Sequence, residues 1–350
     1  MAEYEARRAK ALAMGGPEKL AKRKQAGQLN ARERIACLVD PDSFIESGLF
    51  GTSGVYPEQA EETPGDGKIA GYARINGRDV AIVVNDFTVK GASTSATNSK
   101  KIGHMKRTAT ERGMPLVIVG ESTGARLPDA MGSRGMGLLL GNDNTQFRRT
   151  RETPLATAVI GPAFGSSAWL ACLADFAVMH KGATMAVSSP RLIEMALGEK
   201  VDLDELGGWR MHAEVTGLVD QVVDTEPEMF GAIKQFLSYL PSHHREAPPD
   251  APVPAGSGEN MRDIIATLPE RRAQVYDVRK IARCIVDKDT LFELKPRFGK
   301  SAVVALARLG GKSVGIVANN PLHRGGALDA DACRKIVDFL VLCDSFNVPI

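Results

Sequence analysis

The sequence predicts an α/β fold made of one complete domain and the first part of a second copy. Three observations carry this. Short β-branched apolar runs alternate with amphipathic helical stretches. Glycine-bearing turns follow the strands. The segment Ala73 to Leu116 returns as Ala307 to Ile350 without a gap, position 73 matching position 307 at an offset of 234. Ala73, Arg74, Gly77, Val80, Ile82, Val83, Asn85, Gly91, Lys101, Ile102 and Pro115 recur at that spacing. A repeat this long marks two copies of one domain rather than a solenoid of short units.

Residues 1–36 read as a basic helical arm, carrying Arg7, Arg8, Lys10, Lys19, Lys22, Arg23 and Lys24 and broken at Gly15-Gly16-Pro17. A solvated arm packing on a neighbour is the plainer reading, and contact with an anionic ligand the other. Asp79 to Asn85 is a short apolar run and reads as a buried strand. Asn98 to Arg112 reads as a helix with Ile102, Met105 and Ala109 on one face. Gly113 ends it, and Pro115 opens the strand Leu116 to Gly120. Strand, helix and strand make a βαβ unit, so the two strands run parallel with a right-handed crossover. The alternation continues with a strand Ala156 to Ile160, a helix Ser166 to Ala174, strands Phe176 to Met179 and Thr184 to Val187, and a helix Pro227 to Leu240.

Pro241 to Gly258 is rich in Pro, Gly and Ser and reads as a linker. Beyond it, Cys284, Asp287, Asp289 and Glu293 match Cys37, Asp40, Asp42 and Glu46, position 37 matching 284 at an offset of 247. The expected organisation is an arm over 1–36, a domain over 37–240, a linker over 241–258 and an incomplete second domain over 259–350. Relative to the first copy, roughly 120 further residues would complete the second.

Composition narrows the function. The 350 residues carry a net charge of +2 and only 5% aromatics, which gives no case for nucleic-acid binding. No apolar run is long enough to span a bilayer and the amino terminus lacks an apolar signal segment, so a soluble cytoplasmic protein without a membrane role is expected. None of the five cysteines forms a C-x-x-C pair, and the six histidines lack metal-ligand spacing, so no metal is expected.

Three small-residue turns are candidate sites. Gly120-Glu-Ser-Thr-Gly-Ala-Arg126 and Gly161-Pro-Ala-Phe-Gly-Ser-Ser167 follow strands, and the second opens a helix. Backbone N–H groups fixed at such a junction suit a developing negative charge. Close helix–strand packing is an equal reading of the same glycines. Lys90-Gly-Ala-Ser-Thr-Ser95 is the third, where Ser95 or Thr97 as a helix N-cap competes with ligand approach. Glu121 and Arg126 flank the first turn, as a structural ion pair or as ligand contacts.

Long runs then carry a resemblance over nearly the whole chain. ARERIACLVDPDSFIE at 31–46, GDGKIAGYARINGR at 65–78, NDFTVKGAS at 85–93, ESTGAR at 121–126, GPAFGSS at 161–167, GEKVDLDELGG at 198–208 and SVGIVANNP at 313–321 resemble the carboxyltransferase (β) subunits of biotin-dependent acyl-CoA carboxylases, such as propionyl-CoA carboxylase. The resemblance implies crotonase-like β–β–α superhelix domains. The first would bind acyl-CoA and the second the carboxybiotin carried by a biotin carboxylase/biotin carrier subunit, in a homo-oligomer, usually a dimer-based hexamer. It implies transfer of CO₂ from carboxybiotin to the α-carbon of the acyl-CoA through an enolate held by backbone amides, with no side-chain triad and no metal. Gly165 and Ser166 fall on the family's Gly-Gly of the thioester hole, with Ser166 departing in a way that narrows the acyl pocket. Gly91, Ala92 and Ser93 fall on the CoA-contacting loop, where Gly-Gly-Ser is usual. Gly124 and Ala125 match the Gly-Ala of the first turn, where Thr123 replaces a Gly. Arg126 and Gly161 complete the implied acyl-CoA-binding set. The family's second hole and biotin pocket lie past Ile350, so full carboxyl transfer by this stretch alone is not expected. A biotin-dependent decarboxylase, a crotonase-type hydratase with Glu121 as its acid, and a CoA-binding or assembly module without chemistry are the alternatives.

Overall fold

The computed structural model describes residues 1–54, 57–133, 135, 137, 148–271 and 274–350. The amino-terminal arm is three helices, α1 (Ala2–Leu12), α2 (Pro17–Gln25) and α3 (Ala31–Leu38). The break at Gly15-Gly16-Pro17 is found. The second break, after Gln25, follows from Asn30, whose side chain caps α3 and completes a capping box with Glu33. The arm is not simply solvated, because Arg23 and Arg34 are buried.

Strands β1 (Ile45–Ser47), β2 (Lys68–Ile75) and β3 (Arg78–Asn85) form an antiparallel meander. Helix α4 (Ala96–Arg112) follows, then β4 (Leu116–Ser122) parallel to β3. Ser95 caps α4 in a capping box with Asn98, and Gly113 closes it at φ +67°, a conformation free of strain only for glycine. The β2–β3–α4 succession is the β–β–α unit expected of a crotonase-like domain, and β3–α4–β4 is the expected parallel crossover. Ile102, Met105 and Ala109 bury one face of α4 against Ala81, Val83, Leu116 and Ile118, the core the periodicity predicted.

After the short α5 (Leu127–Ala130), β5 (Leu155–Phe164) runs parallel to β4 and leads into α6 (Ser166–Cys172). Next come β6 (Phe176–His180), β7 (Thr184–Ala186), α7 (Pro190–Leu197), α8 (Leu203–Gly207), β8 (Gln221–Val223) and α9 (Glu226–Tyr239). Among the described residues the sheet order is β1-β2-β3-β4-β5-β6-β8, with β7 parallel to the end of β5. Strand β5 is longer than expected. Gly161 and Pro162 read as a turn, but pairing of Pro162–Phe164 with Thr184–Ala186 keeps them extended, so the turn begins at Gly165.

The chain forms two compact units, Met1–Met211 with Val222–Lys234, and His212–Gln221 with Gln235–Ile350. In the second, α10 (Asp263–Thr267) and α11 (Val278–Ile285) precede β9 (Phe292–Leu294), β10 (Ala302–Leu309), β11 (Lys312–Asn319) and α12 (Ala330–Ser345). The antiparallel order β11-β10-β9 repeats β3-β2-β1, with Phe292 opposite Leu306 as Ile45 is opposite Tyr72. The proline-rich stretch 241–258 carries no helix or strand, and Ala251 N–H donates to Gly311 O at 3.0 Å. Among the described residues no helix is long and apolar enough to cross a membrane.

Candidate active site

The carboxyl ends of β3, β4 and β5 bring the three predicted turns together. At the end of β3, Lys90, Gly91 and Ala92 take left-handed φ values of +48°, +60° and +48°. For Lys90 and Ala92 this costs roughly 1–2 kcal/mol each, so the loop must be held by its partners. Gly91 O accepts from Thr123 N–H at 3.0 Å and Thr123 Oγ1 at 3.3 Å. Ala92 O accepts from Ser122 Oγ and from Lys68 Nζ, both at 3.1 Å. A β-carbon on Gly91 would stand 2.6 Å from Thr123 Cγ2.

Thr94 joins the loops. Its N–H donates to Gly124 O at 2.7 Å, its carbonyl accepts from Arg126 N–H at 2.8 Å, and its hydroxyl pairs with Ser166 Oγ at 2.8 Å. Gly124 and Gly165, at φ +96° and +64°, let the two strand-end turns abut: a β-carbon on Gly165 would lie 3.6 Å from Gly124 Cα and 4.0 Å from Ala125 N.

The amides at this junction divide into used and free. Gly165 N–H donates to Val187 O at 3.1 Å and Ala186 O at 3.3 Å, so the amide implied as an oxyanion donor is already committed. Gly124 N–H donates to Ser122 Oγ at 3.2 Å. Ser166 N–H begins α6, where an orphan amide is the rule. Among the described residues the N–H groups of Ala125 and Ser166 have no hydrogen-bond partner. Ala125 is exposed and Ser166 half-buried.

Several expected ligand contacts are interior instead. Ser93 is buried, with Oγ accepting from Arg126 Nε at 3.1 Å. Arg126 is buried too, and its guanidinium pairs with Asp66 Oδ1 at 2.6 Å. Asp66 also accepts from Ser95 Oγ, and from Asn98 N–H at 3.1 Å. Ala92 is fully buried and offers only the carbonyl already described. Gly161 lies inside β5, where a β-carbon would stand 2.5 Å from Glu121 Oε2. Its glycine makes room for Glu121.

Glu121 Oε1 takes Arg23 NH2 at 2.5 Å and Arg34 NH1 at 3.0 Å, and Arg34 also reaches Glu226 at 2.7 Å. Glu121 is thus occupied as an acceptor by two guanidiniums, which counts against a hydratase-type acid there. Burial pushes the Lys68 and Lys101 ammonium groups down to about 7 and about 8. No cluster of His, Cys, Asp or Glu able to hold a metal occurs among the described residues.

The residues alone place the three turns, with Thr94 and Ser122 inside them, but assign nothing to Asp66 or Lys68. The GDGK run at 65–68 was their available signal, since its left-handed Gly65 and Asp66 mark a special turn.

The chain has counterparts among known proteins. The family profile described as the carboxyl transferase domain matches residues 22–350. The chain is 36% identical over 341 residues to the putative propionyl-CoA carboxylase beta chain of Bacillus subtilis (strain 168), covering 96% of this chain and 65% of that one. It is 32% identical to the methylmalonyl-CoA decarboxylase subunit alpha of Veillonella parvula, covering 98% of this chain and 67% of that one. Among solved structures it matches the transcarboxylase 12S hexamer with hydrolysed methylmalonyl-coenzyme A bound, at TM-score 0.90 and 31% identity over 99% of this chain and 69% of that one. The chain thus spans about two thirds of the relatives it matches, and it belongs to the carboxyl transferase family.

Proposed function

We propose that the first unit is the acyl-CoA half of a biotin-dependent acyl-CoA carboxyltransferase, and that the free amides of Ala125 and Ser166 hold the thioester oxygen as it becomes an enolate. The observation that carries this is the pair of N–H groups, without a partner among the described residues, at two abutting glycine turns. Carboxybiotin, on a biotin carboxylase/carrier partner, supplies the CO₂ when bound; no residue of the second unit is assigned to it. Withdrawing the α-proton puts charge on the thioester oxygen, and fixed donors there lower the barrier more than they stabilise the ground state. Gly91 and Gly124 supply the close backbone approach a CoA ester needs. Ser93, Arg126 and Asp66 hold the turns from behind rather than touching the ligand, a shift from the contacts the resemblance implied. The Thr94–Ser166 hydroxyl pair walls the acyl side.

The oligomeric assembly in the name of the transcarboxylase relative favours a homo-oligomer here, and a cytoplasmic location fits. The decarboxylase relative favours one second reading, the same site run in reverse.

Proline at the first position of a helix is well tolerated, and at position 166 it removes the amide donor together with the hydroxyl that Ser166→Ala removes alone. Ser166→Pro should therefore fold and lose about 10²–10³-fold in the turnover of propionyl-CoA by the complete assembled enzyme. Ser166→Ala, which keeps the amide, should retain most of it. Equal loss in both variants would overturn the backbone assignment. Gly165→Pro is a poorer test, because φ +64° and a committed N–H make it a folding defect.

A further inference from the structure

Lys68 opens β2 with its side chain wholly enclosed. Its Nζ donates to Asn85 Oδ1 at 2.9 Å and to Ala92 O at 3.1 Å. Among the described residues these are its only hydrogen-bond acceptors. A neutral amine has two N–H groups and both are matched. An ammonium has a third, which would be buried without a partner.

The charged groups facing it do not offset that cost. Asp66, in the turn before β2, favours the ammonium, but it is spent on Arg126, Ser95 and Asn98. Arg126 after β4 and Lys101 on α4 both oppose it. Strand β3 offers only the Asn85 amide, and Lys90 turns outward to Glu62. Burial brings the group down to about 7.

The second copy shows that the fold does not need this lysine. Lys68 corresponds to Ala302, and Arg324-Gly325-Gly326 repeats the left-handed loop at φ +52°, +64° and +81°. There Asn319 Nδ2 donates directly to Gly326 O at 2.7 Å, the carbonyl equivalent to that of Ala92. In the first copy Asn85 Nδ2 is drawn to Glu121 O on β4 at 3.0 Å, and Lys68 fills the gap.

We propose that Lys68 is a positioning residue: its neutral amine ties the loop Lys90–Ala92 to β3, and taking up a proton loosens that loop, so acyl-CoA binds more tightly as pH rises through neutrality. This rests on the reading of that loop as part of the acyl-CoA site.

The test is the dissociation constant of propionyl-CoA, by calorimetry, from pH 6 to 8 on the wild type and on Lys68→Met. Proton uptake by the ligand's own phosphate affects both proteins equally, so their ratio isolates Lys68. If only the neutral form binds, the ratio changes about tenfold over that range, with Lys68→Met the weaker binder at pH 8. A ratio constant with pH overturns the proposal. Hydrogen exchange of residues 90–93 in the unliganded wild type, relative to α4, supplies an arm independent of ligand and of the variant's folding. The loop should gain protection between pH 6 and 8 beyond the intrinsic pH effect. Unchanged relative protection overturns the positioning claim whether or not propionyl-CoA binds. Absence of propionyl-CoA binding at every pH, with the protection change present, would instead overturn the acyl-CoA reading alone.

Discussion

The two copies of the repeat share a frame and differ in what stands behind one loop. In the first, Arg32 pairs with Glu46; in the second, Arg279 pairs with Glu293. Asp40 accepts from the hairpin amides of Asn76 and Gly77, and Asp287 from those of Gly310 and Gly311. Lys101 donates to Lys68 O at 2.5 Å, and Lys335 to Ala302 O at 2.9 Å. These contacts recur at the offsets of the sequence repeat, so they belong to the fold. Asp66, Lys68, Ser93 and Arg34 give way to Lys300, Ala302, Ala327 and Ile281. A buried polar network held in one copy and dispensed with in the other is not a requirement of the β–β–α unit. It serves the turns at Thr94, Gly124 and Ser166.

The sharpest way to break this comparison is Arg34→Met, which the second copy already approximates with Ile281. In the first copy it strands Glu121 and Glu226, and urea unfolding should show a loss of about 3–5 kcal/mol. A loss below about 1 kcal/mol would mean that Arg23 alone satisfies Glu121. A finer contrast pairs Gly91→Ala with Gly325→Ala. Both residues sit at positive φ, costing roughly 1–2 kcal/mol each. Only Gly91 faces a side chain at 2.6 Å, while Gly325 faces open space. Gly91→Ala should therefore cost about 1–3 kcal/mol more, and equal melting shifts would refute the difference.

The smallest effect concerns pH. Folding holds Lys68 below its unfolded value, so between about pH 7 and about 10.4 the unfolded chain keeps a proton that the folded chain has lost. Across that window the stability of the wild type should rise relative to Lys68→Met, by up to about 1.4 kcal/mol per pH unit, and the difference should be flat below pH 7. Parallel stability curves for the two proteins would contradict a buried neutral amine.

Much of the fold was legible because its signals are local. Helix α4 announces itself through Ser95, the Ile102–Met105–Ala109 face and Gly113. The turns are marked by glycines whose positive φ values need them. What stayed hidden depends on partners distant in sequence. Arg23 reads as one charge of a solvated arm, and only the fold brings it, with Arg34, to Glu121. Gly161-Pro162 reads as a turn until Thr184–Ala186 pairs alongside it. The commitment of the Gly165 amide to Val187 has no local signature; of the pair Gly165 and Ser166 that the resemblance offered as donors, only Ser166 keeps an amide without a partner among the described residues, and the proposed hole pairs it with Ala125.

Everything proposed for the first unit turns on these two amides receiving the thioester oxygen. A crystal structure with propionyl-CoA bound tests it most directly. That oxygen should lie at about 2.7–3.1 Å from both Ala125 N and Ser166 N, with the Gly165 N–H still on Val187 O. A thioester oxygen held by other donors, or a Gly165 amide released from Val187 to meet it, would contradict it.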